Sequence, residues 1–193
     1  EASHHAGHNW VHHRDITPTN VLVADRDGQN VPKIIDFGVA KAMGKLRTES
    51  SLHTKGSQLL GTPEYMSPEQ ADMANEDIDV RADVYSLGVL LYVLLVGHLP
   101  FDTRELRAHG IEHIRKVIRE QDPKTLGTRL TALDAAGEGG DIARCRQADV
   151  KTLLKTLRTE LEWIPLMAMR KERERRYQSA AELIQDLRKY LNG

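Results

Sequence analysis

Residues 12–20 read HHRDITPTN, and Asp36 follows near the end of the run VLVADRDGQNVPKIIDF. Asp15, Asn20 and Asp36 carry the side chains best suited to chemistry. Asp15 lies on the loop that feeds a predicted hairpin, Asn20 precedes its first strand, and Asp36 closes its second. Carboxylate and amide oxygens form a hard donor set, which suits Mg2+ better than zinc. Magnesium keeps several waters and usually binds through one or two carboxylates together with substrate phosphates. Asn20 and Asp36 fit that part, which leaves Asp15 free to act on a proton. Aspartates are also common turn and cap residues, so geometry alone leaves a structural reading equally open.

The hairpin is read from two β-branched runs, 21–24 and 33–37, around the turn-forming DRDGQN. It is the element that must bring Asn20 and Asp36 side by side. Upstream, residues 1–13 hold five histidines, with His4, His8 and His12 at helical spacing. Zinc sites show tighter companion motifs such as HExxH, so this segment reads as a helix with polar faces. Residues 39–70 show no period and end in GTPEYMSPEQ; a loop of that length is uncommon unless functional or disordered. Helices are predicted over 82–96 and over 104–120, the second with Ile111, Ile114 and Ile118 on one face. Residues 122–148 read as loop, most flexible at AAGEGG. Beyond them Val150, Leu153, Leu154, Leu157 and Leu161 form one stripe. A last helix opens with a Ser179–Glu182 capping box, lines up Leu183, Ile184, Leu187, Tyr190 and Leu191, and stops at Gly193.

A chain of 193 residues, 40% hydrophobic and 28% charged, has the makeup of one soluble globular domain. No internal repeat or linker divides it. The net charge of -1 gives no general basic field, so nucleic acid and anionic membranes are not the first partners to expect. A single cysteine, Cys145, excludes an internal disulfide and a cysteine zinc knuckle. The apolar run LGVLLYVLLVG at 87–97 falls short of the roughly 20 residues of a membrane span, so it reads as a buried core helix. No signal peptide opens the chain, and Glu1 is not a natural start, so the sequence reads as a soluble piece of something larger.

The motifs choose between the two readings of the aspartates. HRDIxxxN at 13–20, with Ile16 where Leu is usual, precedes DFG at 36–38 and SPE at 67–69, which stands for the usual APE. In this order the chain resembles the protein kinases, in particular the bacterial Ser/Thr kinases of eukaryotic type. GTPEYMSPEQ, DVYSLGVLLYVLLVGHLPF and ELEWIPLMAMRKERERRYQSAAELIQDLRKYL extend the resemblance over essentially the whole chain. It implies a mainly α fold over residues 1–193, the helical C-terminal lobe of a kinase, with a short β-hairpin carrying the catalytic and magnesium loops. It also implies ATP- and Mg2+-dependent phosphoryl transfer to Ser or Thr of a protein substrate, in the cytoplasm, with an anchor beyond residue 193 left open. By the same likeness Asp15 orients the substrate hydroxyl and accepts its proton, while Asn20 and Asp36 hold magnesium and Phe37 and Gly38 complete the cofactor loop. His13 is a packing and hydrogen-bonding residue. Arg14 would pair with a phosphate on the activation loop, where Thr48, Ser50, Ser51, Thr54 and Ser57 are candidate acceptors. Asp83 would brace the catalytic loop, Arg176 would pair with Glu69 in a buried ion pair, and Gly61, Thr62 and Pro63 would form the substrate platform.

Two departures matter. Thr17 stands where these kinases usually carry a lysine that contacts the transferring phosphate. Nothing before residue 13 supplies a Gly-rich phosphate loop or a V-A-I-K lysine, so the small N-lobe is expected upstream and little activity is expected of this chain alone. A pseudokinase-like docking module and a gene relic are the alternatives. A hydrolase using Asp15, Asp36 and the N-terminal histidines ranks last, because it accounts for neither GTPEYMSPEQ nor the central helix.

Overall fold

The computed structural model describes residues 12–36, 62–72 and 77–193. Phe37, Gly38, Gly61, the five candidate phosphate acceptors, His4 and His8 lie outside them.

The hairpin pairs β1 (Val21–Arg26) with β2 (Gln29–Ile34), in antiparallel register from Val21↔Ile34 to Arg26↔Gln29. Asp27 and Gly28 both have positive φ, 56° and 79°, which is the two-residue turn whose twist matches the strands. Asp25 Oδ1 fastens it by accepting the Gly28 N–H at 2.8 Å. The ladder therefore runs closer to the turn than the β-branched runs predict, and β2 stops at Ile34. Asp36 lies beyond it, not on a strand.

Nine α-helices are described: α1 (Pro68–Ala71), α2 (Val80–Val96), α3 (Thr103–Ala108), α4 (Gly110–Glu120), α5 (Leu126–Ala135), α6 (Gly139–Cys145), α7 (Val150–Thr156), α8 (Trp163–Ala168) and α9 (Ala180–Asn192). α2 is the hub. Asp79 caps its start by accepting the Arg81 N–H at 2.8 Å, and Gly97 ends it in the left-handed region. Ala82, Val84, Tyr85, Val89, Tyr92 and Val96 are all buried, each large one contributing roughly 1.5–3 kcal/mol. Gly88 lets α8 come close, since a Cβ there would meet Ala168 Cβ at 2.7 Å and Met169 Cγ at 3.0 Å. Leu126, Leu130, Leu153, Leu157 and Leu161 belong to the same core. A second cluster joins Ala71 to Leu106, Ile114, Val117 and Ile118.

Several expectations need correction. The single helix over 104–120 is two, broken at His109–Gly110, because Gly110 takes φ +78°. Residues 126–145 are not loop but α5 and α6. Thr125 caps α5, and Leu126, Leu130 and Leu133 bury one face of it. Only the turn at 136–138 survives of the expected flexible stretch. The stripe from Val150 continues through α7 into a π turn (Leu157–Leu161), where Thr159 has non-helical ψ of -120°. On α9 Leu183 is buried, whereas Ile184 and Leu191 are 44% and 77% exposed. Ser179 Oγ accepts the Glu182 N–H at 3.3 Å, but the Glu182 carboxylate takes the N–H of Gln178, at 2.7 Å, not that of Ser179. Among the described residues no helix is long and apolar enough to cross a membrane.

Candidate active site

A closed circuit of hydrogen bonds joins the loop before β1 to the open end of the hairpin. His13 Nε2 faces the Ile35 carbonyl at 2.9 Å, and His13 Nδ1 accepts the Asp15 N–H at 3.3 Å. A carbonyl can only accept, so these two bonds assign the Nε2–H tautomer. The Ile35 N–H in turn donates to the Asn20 carbonyl at 2.9 Å. Asn20 Nδ2 completes the circuit, donating to Asp15 O at 2.9 Å and to Asp15 Oδ2 at 3.0 Å. Asp15 and Asn20 are thus side by side, with positions set by both backbone and side chain. Residue 35, and with it the backbone entering Asp36, is tied to the same frame.

Asp83 on α2 anchors this frame to the core. Its Oδ2 accepts the His13 N–H at 2.8 Å and its Oδ1 the Arg14 N–H at 2.7 Å. Arg14 adopts φ 64°, uncommon for a residue with a side chain. Such geometry costs on the order of 1–3 kcal/mol and persists where surroundings over-determine it. Here both backbone groups of Arg14 are held, the N–H by Asp83 and the carbonyl by Gln70 Nε2 at 2.8 Å. Asp36 is a second such residue, at φ 65°. The Arg14 guanidinium is exposed and reaches the Ile78 carbonyl at 3.4 Å. Thr17 is 2% exposed, and its hydroxyl meets that of Thr19 at 2.8 Å.

Thr62 and Pro63 lead into a short 3-10 turn, Pro63–Tyr65, buried throughout. Ser86 on α2 donates to the Tyr65 carbonyl at 2.8 Å, which fixes this turn to the hub. Burial, with Glu64 alongside, pushes the Tyr65 phenol above its ordinary range. Ser67 then caps α1 in a complete capping box with Gln70. Glu69 on α1 meets Arg176 in a buried, two-pronged ion pair.

The sequence reading missed two parts of this frame. Gln70 bonds Ser67 with one end of its amide and Arg14 with the other; its place as the third residue of a helix after Ser-Pro was the available signal. Ile35 acts through its backbone, which no residue-type argument detects.

Among the described residues no three His, Cys, Asp or Glu side chains converge as a metal cluster. Magnesium does not need one, since an amide oxygen and a carboxylate suffice when phosphates and waters fill the remaining positions. Asn20, its amide nitrogen already engaged by Asp15, keeps its Oδ1 for such a role, and Asp36 is exposed at the same end of the hairpin. The donor chemistry fits.

The chain matches the protein kinase domain family over residues 1–185. It is 31% identical over 185 residues to the serine/threonine-protein kinase PknB of Mycobacterium tuberculosis, covering 96% of this chain and 24% of that protein. It is 34% identical over 193 residues to a probable serine/threonine-protein kinase of Streptomyces coelicolor, covering 100% and 23%. A probable serine/threonine-protein kinase PknB of Bifidobacterium longum is 32% identical over 191 residues, covering 99% and 22%. The chain therefore spans about a quarter of the length of the curated relatives it matches.

Proposed function

The chain belongs to the protein kinase family, and from that premise we propose that it forms the catalytic-loop lobe of a kinase that phosphorylates protein Ser or Thr residues. ATP and Mg2+, when bound, would supply the phosphoryl group and neutralise charge on it, with Asn20 and Asp36 as the metal-holding residues. Asp15 aligns the acceptor hydroxyl and takes its proton as that oxygen bonds to the terminal phosphorus and the bond to the departing ADP oxygen breaks. His13 serves the backbone of the loop. Arg14, exposed beside Asp15, would pair with a phosphate on Thr48, Ser50, Ser51, Thr54 or Ser57. Thr62 and Pro63 form the fixed edge on which the acceptor segment lies. Use of ATP puts this lobe in the cytoplasm.

The observation that carries the reading is the circuit linking His13, Asp15, Asn20 and Ile35, because it presents one carboxylate next to one amide in a single fixed arrangement. The experiment is transfer of labelled phosphate from ATP to a mixed Ser/Thr protein substrate, by the protein as it occurs and by its Asp15→Asn variant. Loss of the proton acceptor lowers transfer by about 10²–10⁴-fold while leaving Mg-ATP affinity in place. Equal transfer by the two proteins overturns the proposal.

One observation favours a second reading. Thr17 places a buried hydroxyl, turned towards Thr19, where a cation would serve the transferring phosphate. A docking module that binds partners without transfer is consistent with that. Mg-ATP titration separates the two, because a non-catalytic module of this kind shows no transfer at any nucleotide occupancy.

A further inference from the structure

Far from the catalytic loop in sequence, α7 and the π turn after it border an open groove of about 580 Å3, lined by Asp134, Val150, Lys151, Leu154, Lys155 and Arg158 among others. The floor is aliphatic. Val150 and Leu154 are the half-buried outer members of the stripe whose inner members, Leu153 and Leu157, are buried in the core.

The rim is cationic. Lys151 and Lys155 are exposed one helical turn apart, and among the described residues neither has an ion-pair partner. Arg158 is pre-positioned. Its guanidinium donates to Thr131 Oγ1 at 3.3 Å, and its stem lies against Gly127, where a Cβ would come within 2.8 Å of Arg158 Cγ. The lining thus sets Lys151, Lys155 and Arg158 against the carboxylate of Asp134, while Glu162, which accepts the Gly127 N–H at 2.8 Å, lies behind Arg158 and leaves the two lysines as the main source of positive charge.

We propose that this groove docks an acidic, extended peptide segment of a partner protein, with an aliphatic side chain between Asp or Glu residues. The rim fixes the sign of the partner's charge, and the floor supplies a place for the aliphatic group. Nucleic acid fits less well: the lining has no aromatic side chain on which a base can stack, and the chain carries a net charge of -1. An anionic membrane is usually met by a cluster of about four to eight basic residues, more than the three that line this open groove.

The test uses the whole chain and a fluorescein-labelled peptide of repeating Glu-Asp-Leu, read by fluorescence anisotropy; it detects binding directly and needs no phosphoryl transfer. Binding is expected, weakening with salt as exposed charges are screened. Lys151→Glu together with Lys155→Glu weakens it at least about tenfold, since attraction becomes repulsion. Lys189→Glu, on α9, leaves it unchanged. Leu154→Gln weakens it without altering the charge. Circular dichroism checks folding, and Lys151→Gln with Lys155→Gln serves as the milder pair if charge reversal disturbs α7. The proposal fails if the peptide does not bind, if a repeating Lys-Arg-Leu peptide binds equally, or if a single-stranded oligonucleotide or phosphatidylserine vesicle binds more tightly at the same residues.

Discussion

Arg176 and Glu69 stand 107 residues apart and meet through two parallel N–H···O bonds of 2.7 Å each, the guanidinium fully buried and the carboxylate 6% exposed. The remaining donors of Arg176 go to the carbonyls of Arg170, Arg81 and Lys171. One side chain thereby joins α1, the start of α2 and the segment after α8. Arg176→Ala leaves a buried carboxylate and three carbonyls without their donor, so a loss of about 3–5 kcal/mol is expected. Arg176→Lys recovers only part of it, because an ammonium cannot reproduce the planar fork. Urea midpoints of the chain and both variants check this ordering. Near-equal stability of Arg176→Lys and the unaltered chain would show that the charge alone matters.

Asp83 accepts the N–H groups of two successive residues, His13 and Arg14, one on each oxygen. Asp83→Asn keeps the shape but turns an NH2 towards one of those N–H groups. The unsatisfied donor costs about 1–3 kcal/mol. The readout is local: amide exchange at residues 13 and 14 speeds up by about tenfold or more, at about 1.4 kcal/mol per factor of ten, while amides in α9 are unaffected. A uniform change across the chain would assign Asp83 to global stability instead.

The parts of the fold and site legible in the sequence were those with a local signature. The Asp27–Gly28 turn, the apolar run of α2 and the Ser179 cap each declare themselves within a few residues. The strand boundaries predict Asn20 beside Asp36, with Asp15 on the loop feeding the same end; the hydrogen bonds join Asn20 to Asp15 and to Ile35, the residue before Asp36. Less legible was α5, whose Leu126, Leu130 and Leu133 are spread among threonines and an arginine, and whose stability comes from packing on α2 and the π turn. The break at Gly110 was masked by isoleucines whose period runs only through the second of the two helices. Gln70 and Ile35 were missed for a different reason, since each acts across a long sequence separation through groups that residue type does not single out.

Thr17 offers a gain-of-function experiment. Its hydroxyl bonds Thr19 and it is almost wholly buried, so a lysine there must run its stem out of a tight position to reach water or phosphate. Under the proposed function, Thr17→Lys in the protein as it occurs would add a cation beside the transferring phosphate, and transfer is expected to rise by roughly tenfold, a fraction of what one such electrostatic contact contributes elsewhere. Thr17→Met, similar in length but uncharged, gives no rise. Equal rates for the two variants would remove any role for charge at this position.

Lys171 makes a pH-dependent contribution whose sign can be worked out. Its Nζ donates to the Ile118 carbonyl at 2.6 Å and lies 5.0 Å from the Phe101 ring centre and 5.9 Å from that of Tyr85. Burial pulls its pKa down to about 8, with Asp122 opposing the shift and Arg176 adding to it. In the unfolded chain a lysine holds its proton up to about 10.4. Between those values the unfolded state binds more protons than the folded one, so stability rises with pH through that window. Below it both states are charged, and the cost of the buried ammonium is constant and greatest. Burial raises the phenols of Tyr85, Tyr92 and Tyr177, which acts in the opposite sense once pH exceeds about 10. Comparing the chain with Lys171→Met cancels that tyrosine term. Urea midpoints taken from about pH 7.5 to 9.5 should show the unaltered chain gaining on the variant as pH rises. Parallel curves would mean that Lys171 titrates alike in both states, and that the carbonyl and the two rings hold its charge at no cost.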